Sequence, residues 1–244
     1  MRRRADAFEG AVGNLGEQEM RNSSIVLSGL AALLCTDMAL AETVPNTGFY
    51  LGLGLGSSHA RLKTDDFTAG NSAISESANT TDTGYKALIG WSFNRYIATE
   101  LSYTSIGRYR YTYTANGLSS NVTYDANAVA LSGLGTIPIG KDWSALLRLG
   151  VSANYAERSS MNGDLFFPAT SIPATQKTKA SPMGGIGLQY DIASNAAVRL
   201  EFEYYGAFGE AKGTGIPITG GGSLPDTTGR ANIWMFSLGG VMRF

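Results

Sequence analysis

Charged and large apolar residues alternate in one stretch near the carboxyl end of the chain. Arg199, Glu201 and Glu203 are separated by Leu200 and Phe202. Because successive side chains of a β-strand point to opposite sides, the three charges lie on one face and the apolar residues on the other. Such a strand suits a wall between lipid and a polar interior, since a lysine or arginine at the lipid midplane costs about 2–4 kcal/mol. The pattern therefore predicts charged side chains that meet and pair inside a barrel.

The same argument places polar side chains of other alternating segments in this interior. The candidate lumen residues are Lys86, Glu100, Arg148, Gln189, Arg199 and Glu201. Two kinds of chemistry are open to them. They form a static network, because a buried charge without a partner is destabilising, or they form a gate that passes small ions when the pairs exchange partners.

The elements that must position these residues are strands with one apolar face. Eight such segments lie at residues 48–57, 83–94, 96–106, 121–137, 143–157, 180–192, 195–208 and 231–244. Short turns at 94–95, 138–142 and 193–195 alternate with long connections at 58–82, 107–120, 158–179 and 209–230. Short turns on one rim and long loops on the other are typical of outer-membrane barrels. The predicted fold class is therefore all-β, an eight-stranded antiparallel up-and-down transmembrane β-barrel, whose closure satisfies every backbone group in lipid.

The last predicted strand alternates in the same way, with Trp234, Phe236 and Leu238 on its lipid face. An even number of strands brings both ends of the barrel to one rim, the periplasmic one. This strand should therefore pair with residues 48–56 and close the barrel. Its final outward aromatic, Phe244, resembles the terminal sorting signal of bacterial outer-membrane barrels, which implies the barrel assembly machinery as a partner.

The start of the chain predicts a secretory signal peptide. Arg21 precedes an apolar run at residues 25–34 that is too short to span a bilayer, and Ala39 and Ala41 form a small-x-small cleavage pattern. The predicted boundaries are an amino-terminal extension plus signal peptide at residues 1–41 and an outer-membrane barrel at residues 42–244. We expect translation to start at Met20 and cleavage to follow Ala41.

The composition excludes several classes of protein. The net charge of −1 gives no basic surface that would attract nucleic acid. No apolar run near 18 residues follows the signal peptide, which excludes a helical membrane protein. Nothing indicates a cofactor or a metal. The one histidine, His59, has no acid placed to orient it as a catalytic triad requires, so we expect no enzyme, with a lipid A-modifying enzyme or a protease as the enzymatic alternative.

Several segments together resemble one family of bacterial barrels. Residues 85–103, Tyr-Lys-Ala-Leu-Ile-Gly-Trp-Ser-Phe-Asn-Arg-Tyr-Ile-Ala-Thr-Glu-Leu-Ser-Tyr, resemble the second hairpin of the OmpA transmembrane domain. Residues 147–150, 181–190, 198–202 and the closing strand are similar to its later strands. The resemblance implies the outer membrane of a Gram-negative bacterium, with outer-membrane lipid and lipopolysaccharide as surroundings. Since the sequence stops at Phe244, we expect no peptidoglycan-binding domain of the kind that full-length members carry.

The resemblance also implies a possible role for the lumen charges. In the family, an interior glutamate and arginine contribute to a salt-bridge gate, and a lysine and a second glutamate are alternative partners. Glu100 and Arg199 match the first pair, whereas the lysine position falls on Gly133 and the second glutamate on Gln189. This chain therefore lacks the two alternative partners that the family's gate uses. Lys86, Arg148 or Glu201 are the candidates to replace the missing groups. Gly133 is expected to face the lumen with other glycines.

Aromatic and basic residues alternate on the outer side, in residues 108–113. The candidate surface residues are Arg108, Tyr109, Arg110 and Tyr111. They predict a strand extension above the membrane that binds host or envelope proteins, or lipopolysaccharide phosphates through the arginines. The alternative is a plain sheet rim with solvated arginines. We expect a structural or surface-interaction protein that acts in envelope integrity, adhesion or evasion. The competing hypothesis is a small, gated, porin-like ion channel.

Overall fold

The computed structural model describes residues 47–62, 75–115, 118–159, 162–163, 174–209, 215–217, 223–225 and 231–244. The predicted signal peptide, its start at Met20, its cleavage after Ala41 and residues 42–46 lie outside the described residues. No helix within those residues is long and apolar enough to cross a membrane.

Eight long strands form a closed antiparallel barrel, which confirms the predicted fold class. They are β1 (Gly48–Leu62), β2 (Thr81–Ser92), β3 (Ile97–Ala115), β4 (Leu118–Pro138), β5 (Trp143–Arg158), β6 (Thr175–Asp191), β7 (Ala196–Phe208) and β8 (Ala231–Arg243). Each strand pairs with its neighbours in the chain, and β8 returns to pair with β1, with Gly54 opposite Gly239. The predicted pairing of the first and last strands is therefore confirmed.

The hairpin of β3 and β4 is taller than its neighbours. The region 107–120, predicted as a long connection, is mostly strand, because pairing continues past a bulge between Ser105 and Gly107 until Ala115 lies opposite Leu118. The strand extension expected at residues 108–113 is thus present. Short strands at Ser75–Asn79 and Asn162–Gly163 pair with the two sides of this hairpin. A further pair of short strands, Gly215–Pro217 and Ser223–Pro225, lies apart from the barrel sheet.

The outer surface of the barrel is apolar over a band that ends in aromatic residues. On the rim with the short turns, exposed aromatic residues form the expected girdle: Trp91, Phe93, Tyr96, Trp143 and Phe244. On the opposite side, Tyr85 packs against Tyr103, and Tyr204 packs against Trp234. Aromatic girdles at both interfaces are the usual boundary of the lipid-facing band.

One predicted inward glycine faces the lipid instead. Gly133 lies opposite Thr99 and Leu149, while its neighbours Ser132 and Leu134 are buried in the lumen. The expectation that Gly133 faces the lumen was therefore wrong. Since side chains alternate with period two, an assignment that slips by one residue moves a position to the other face.

Candidate functional site

The barrel lumen brings the charged side chains of four strands together. Six residues form a charge layer across the lumen: Lys86 from β2, Glu100 from β3, Arg148 from β5, and Arg199, Glu201 and Glu203 from β7. No side chain in this layer is more than 7% exposed. Three cations and three carboxylates balance in formal charge, which is what burial of ions requires.

Arg148 is the centre of the charge layer. Its guanidinium lies 2.5 Å from Glu100 Oε2, 2.6 Å from Glu201 Oε1 and 3.2 Å from Glu203 Oε1. The planar guanidinium carries several donors in a fixed arrangement, so it can bind more than one carboxylate at once. Arg148 therefore connects all three acids.

Lys86 and Arg199 complete the pairing from either side of Arg148. The Lys86 ammonium lies 2.5 Å from Glu201 Oε2 and 2.9 Å from Glu203 Oε2. Arg199 donates through Nη1 to Glu100 over 2.6 Å and through Nε to Gln189 over 2.8 Å. As a result each carboxylate has two cationic partners.

Tyr50 joins the layer from the short-turn side. Its hydroxyl donates to Glu100 Oε1 over 2.6 Å, and the Arg199 guanidinium lies 5.3 Å from the centre of its ring. The ring fits because Gly90 has no side chain, and a Cβ there would overlap Tyr50. Apolar side chains pack around Tyr50 below the charges, among them Leu88, Leu134 and Val241.

A cavity of about 380 Å³ opens at the rim with the short turns and reaches Arg199 of the charge layer. Tyr50, Leu134, Gln189 and Arg199 are among the residues that line it. Arg243 at its edge binds Asp191 over 2.7 Å, and Gln189 also donates to Asp191. The cavity thus connects the short-turn rim with the charge layer.

A second layer of buried side chains fills the lumen on the side of the long connections. We name it the aromatic layer; it consists of Ile106, Tyr109, Tyr124, Phe208 and Ile233, each at most 1% exposed. Tyr109 donates to Ser58 Oγ over 2.9 Å. Tyr205 lies between the two layers, where its hydroxyl contacts Thr104 Oγ1 and Glu203 Oε2 at 3.1 and 3.3 Å. Two chemically different layers therefore occupy the lumen in series.

The structure brings the six lumen residues from the sequence analysis into one region. Glu203 was placed inside by the alternation but left out of the candidate set, although it follows Glu201 at the same period of two. The contribution of Tyr50 was missed, since an aromatic residue on a polar face gives no signal of a hydrogen bond to a carboxylate. Lys86, rather than a residue at position 133, supplies the lysine of the layer.

The candidate surface residues of β3 lie on different faces. Arg108 pairs through Nε with Asp125 at 2.7 Å, and its side chain is 69% exposed. Arg110 is also exposed. Tyr109 is buried in the aromatic layer, because the alternation after the bulge points it inward, so its assignment to the surface was wrong. Tyr111 lies in β3, and its side chain is outside what the structure describes.

His59 lies on the outside of β1. Its Nδ1 lies 3.2 Å from Thr81 Oγ1, and its ring stacks at 6.3 Å on Trp234. Within the described residues, no group of three or more histidine, cysteine, aspartate or glutamate side chains is arranged to hold a metal ion.

Comparisons with known proteins agree with this architecture. A family model described as the OmpA-like transmembrane domain matches residues 45–244. Outer membrane protein A of Serratia marcescens is 28% identical over 168 residues, which cover 66% of this chain and 39% of that protein. Outer membrane protein A of Salmonella typhi is 29% identical over 132 residues, 54% of this chain and 35% of the relative. The chain therefore spans well under half the length of these two curated relatives.

Among solved structures, the outer membrane protein OprG of Pseudomonas aeruginosa superposes with a TM-score of 0.50 at 12% identity. The superposition covers 83% of this chain and 99% of OprG. At this identity the likeness concerns the fold alone.

Proposed function

Because this chain belongs to the OmpA-like transmembrane domain family and is an outer-membrane β-barrel, we propose that it acts as a structural and surface-interaction protein of the cell envelope. The observation that carries the proposal is the filled lumen. A balanced charge layer and an aromatic layer follow one another across it. An eight-stranded barrel has an interior just wide enough for its side chains, so these layers favour a rigid membrane anchor over a passage for solutes.

The tall hairpin is the part of this anchor that presents a surface to the outside. Its strands continue to Ala115 and Leu118, and the strand Ser75–Asn79 widens its sheet. Residues on rigid strands keep a binding surface in fixed geometry, which favours recognition of host or envelope proteins. The predicted roles in adhesion, evasion and envelope integrity rest on this surface and on the anchor beneath it.

A shortened hairpin tests the proposal. Thr112 lies opposite Asn121, so residues 113–120 can be replaced by Asn-Gly, the dipeptide that favours two-residue hairpin turns. In a strain that lacks the native chain, we expect the shortened protein to restore resistance to detergent as well as the full chain does. Binding of cells to host extracellular matrix should fall with the shortened protein. If neither detergent resistance nor binding responds to the presence of the full chain, the proposal is wrong.

A gated ion channel is the second candidate, and one observation favours it. Every carboxylate of the charge layer already has two cations in reach, so Glu201 and Glu203 have alternative partners in Lys86 and Arg148. An exchange among them could open a path without leaving a charge unpaired. The pair Glu100 and Arg199 would then act as the gate that the family resemblance implies.

Planar-bilayer recording of the refolded chain separates the two functions. A gate predicts discrete openings that change in Glu100→Gln or Arg199→Met. A structural barrel predicts no openings in the wild-type chain and none in either variant. Refolding of each variant is checked by its faster migration on a denaturing gel before boiling than after.

A further inference from the structure

The lipid-facing wall formed by β2, β3 and β4 has three features stacked from the membrane interior outward. The innermost is an apolar groove of about 320 Å³, which we name the acyl groove. Its side-chain walls are Ala87, Ile89, Leu101, Tyr103 and Val129. Ala87 is small and lies opposite Tyr103, and its short side chain leaves the depression between larger neighbours.

The second feature is a polar boundary directly above the groove. Tyr85 and Tyr103 pack with ring centres 6.4 Å apart, and the Tyr103 hydroxyl donates to Asn127 Oδ1 over 3.3 Å. Tyrosine rings with one apolar and one polar end prefer the depth at which acyl chains meet headgroups. The groove therefore ends where a lipid headgroup begins.

The third feature is a pair of arginines on the same face. The bulge between Ser105 and Gly107 is followed by Arg108 and Arg110, both exposed on the outside of β3. Given the strand rise and the usual tilt of such barrels, they lie roughly 10–15 Å above Tyr103. Arg108 is oriented by Asp125, which holds its Nε and leaves the side chain 69% exposed.

We propose that this wall is a binding site for one molecule of an acylated, anionic glycolipid of the outer leaflet, a lipopolysaccharide. One acyl chain occupies the acyl groove, the sugar backbone passes Tyr103 and Asn127, and phosphate or carboxylate groups reach Arg108 and Arg110. Arginine suits this role because its planar guanidinium binds phosphate and carboxylate through two parallel hydrogen bonds. The height of the arginines favours sugar-borne anions over the phosphate of a phospholipid, which lies nearer to the aromatic boundary.

The site concerns the outside of the barrel and needs neither a closed nor a conducting lumen. It extends the proposed function, since it names a lipid partner for the outer face of the β3 and β4 hairpin, between the membrane and the tip of the hairpin. Failure of the lipid experiment would leave the hairpin-shortening result untouched, because the shortened chain keeps Arg108, Arg110 and the acyl groove.

The test uses the refolded full chain in phosphatidylcholine vesicles that contain a small fraction of purified lipopolysaccharide. After extraction into mild detergent and capture of the protein, lipopolysaccharide that stays bound is measured by mass spectrometry. We expect retention to fall about tenfold in Arg108→Ala/Arg110→Ala, as two cations near a charged headgroup layer imply. Ala87→Phe, which fills the groove, should lower retention several-fold.

Two control positions lie on β6, away from this wall: Ala180 on the outer face, and Lys179 on the face that turns toward the lumen. Lys179 and Ala180 are exposed, and Ala180 pairs with Ala153 of β5. Lys179→Ala and Ala180→Phe should retain lipopolysaccharide as the wild type does. Equal retention by the double arginine variant and the wild type would overturn the proposal. The proposal would also be overturned if phosphatidylglycerol competed for the site as well as lipopolysaccharide does, because that would indicate a general attraction for anionic lipid. The arginines are exposed, so their variants remain informative if Ala87→Phe does not refold.

Discussion

The charge layer and the aromatic layer fill one lumen with opposite chemistry. In the charge layer every carboxylate has two cationic partners, and Arg148 touches all three acids. In the aromatic layer the side chains pack mainly through apolar surface, as Phe208 and Ile233 do while fully buried. The difference lies in how each layer responds to damage. Loss of one ion leaves an unbalanced buried charge that the remaining ions share, whereas loss of one apolar side chain leaves a local cavity.

The largest expected effect follows from removal of the central cation. Arg148→Met should lower the free energy of unfolding by about 4 kcal/mol, because it leaves each glutamate with a single cation. Lys86→Met should cost less, since Arg148 still serves Glu201 and Glu203, and Arg199→Met least, since only Glu100 loses a partner. Urea unfolding in lipid vesicles, followed by tryptophan fluorescence, measures the order.

A second substitution distinguishes lost pairing from lost packing. Arg148→Met leaves three carboxylates with two cations, and Arg148→Met/Glu201→Gln removes the excess negative charge, so the double variant should be more stable than Arg148→Met by about 1–2 kcal/mol. If the three cation variants cost equal amounts, or if Glu201→Gln restores nothing, the layer is not a coupled network.

The aromatic layer should respond locally and with a somewhat smaller loss. Phe208→Ala removes a fully buried ring and should cost about 3 kcal/mol, and Phe208→Leu should cost about 1 kcal/mol. Because Phe208 lies in the other layer, away from the ion pairs of Arg148, the loss in Phe208→Ala should add to that in Arg148→Met within about 0.5 kcal/mol. A combined loss far from the sum, in the same unfolding assay, would mean that the two layers are coupled.

Much of the charge layer follows from alternation alone, but its pairing does not. Lys86, Glu100 and Arg148 face inward because lipid excludes charge from the other face of their strands. Which acid meets which base depends on the heights of four strands around the barrel, and these heights are set by register. The sequence of a single strand contains no such information, so Arg148 could not be identified as the centre.

The aromatic layer and the tall hairpin were harder to predict for a related reason. The bulge between Ser105 and Gly107 shifts the alternation of β3 by one residue. Tyr109 is therefore buried, although an uninterrupted alternation would place it on the outer surface. In β4, small residues occupy both faces around Gly133, and neither face is clearly the polar one. Where hydrophobic contrast is weak, the period-two pattern does not fix the face.

Two glycines allow a comparison of the two sides of the barrel wall, with Gly133 on the lipid side and Gly150 on the lumen side. A Cβ at Gly150 would overlap the backbone of Leu131 and Ser132, while at Gly133 it would lie 3.9 Å from the nearest atom, the Leu149 carbonyl oxygen. Gly150→Ala should therefore cost about 2 kcal/mol through overpacking, and Gly133→Ala should be close to neutral. Equal effects in the unfolding assay would argue against the outward position of Gly133.

The smallest expected effect comes from the backbone beside Phe208. Ala207 has φ of +47°, a left-handed conformation, and its N–H donates to Asn232 Oδ1 over 3.1 Å. An alanine in this region costs about 1 kcal/mol, and glycine avoids that cost but loses about 0.5 kcal/mol through a more flexible unfolded chain. Ala207→Gly should therefore raise stability by about 0.5 kcal/mol. Gly209, with φ of +66°, is the matched control, and Gly209→Ala should lower stability. Ala207 lies in β7 where its pairing with β8 shifts register. If Ala207→Gly destabilises the barrel, the side chain of Ala207 contributes packing beside Phe208 that outweighs the relief of its backbone.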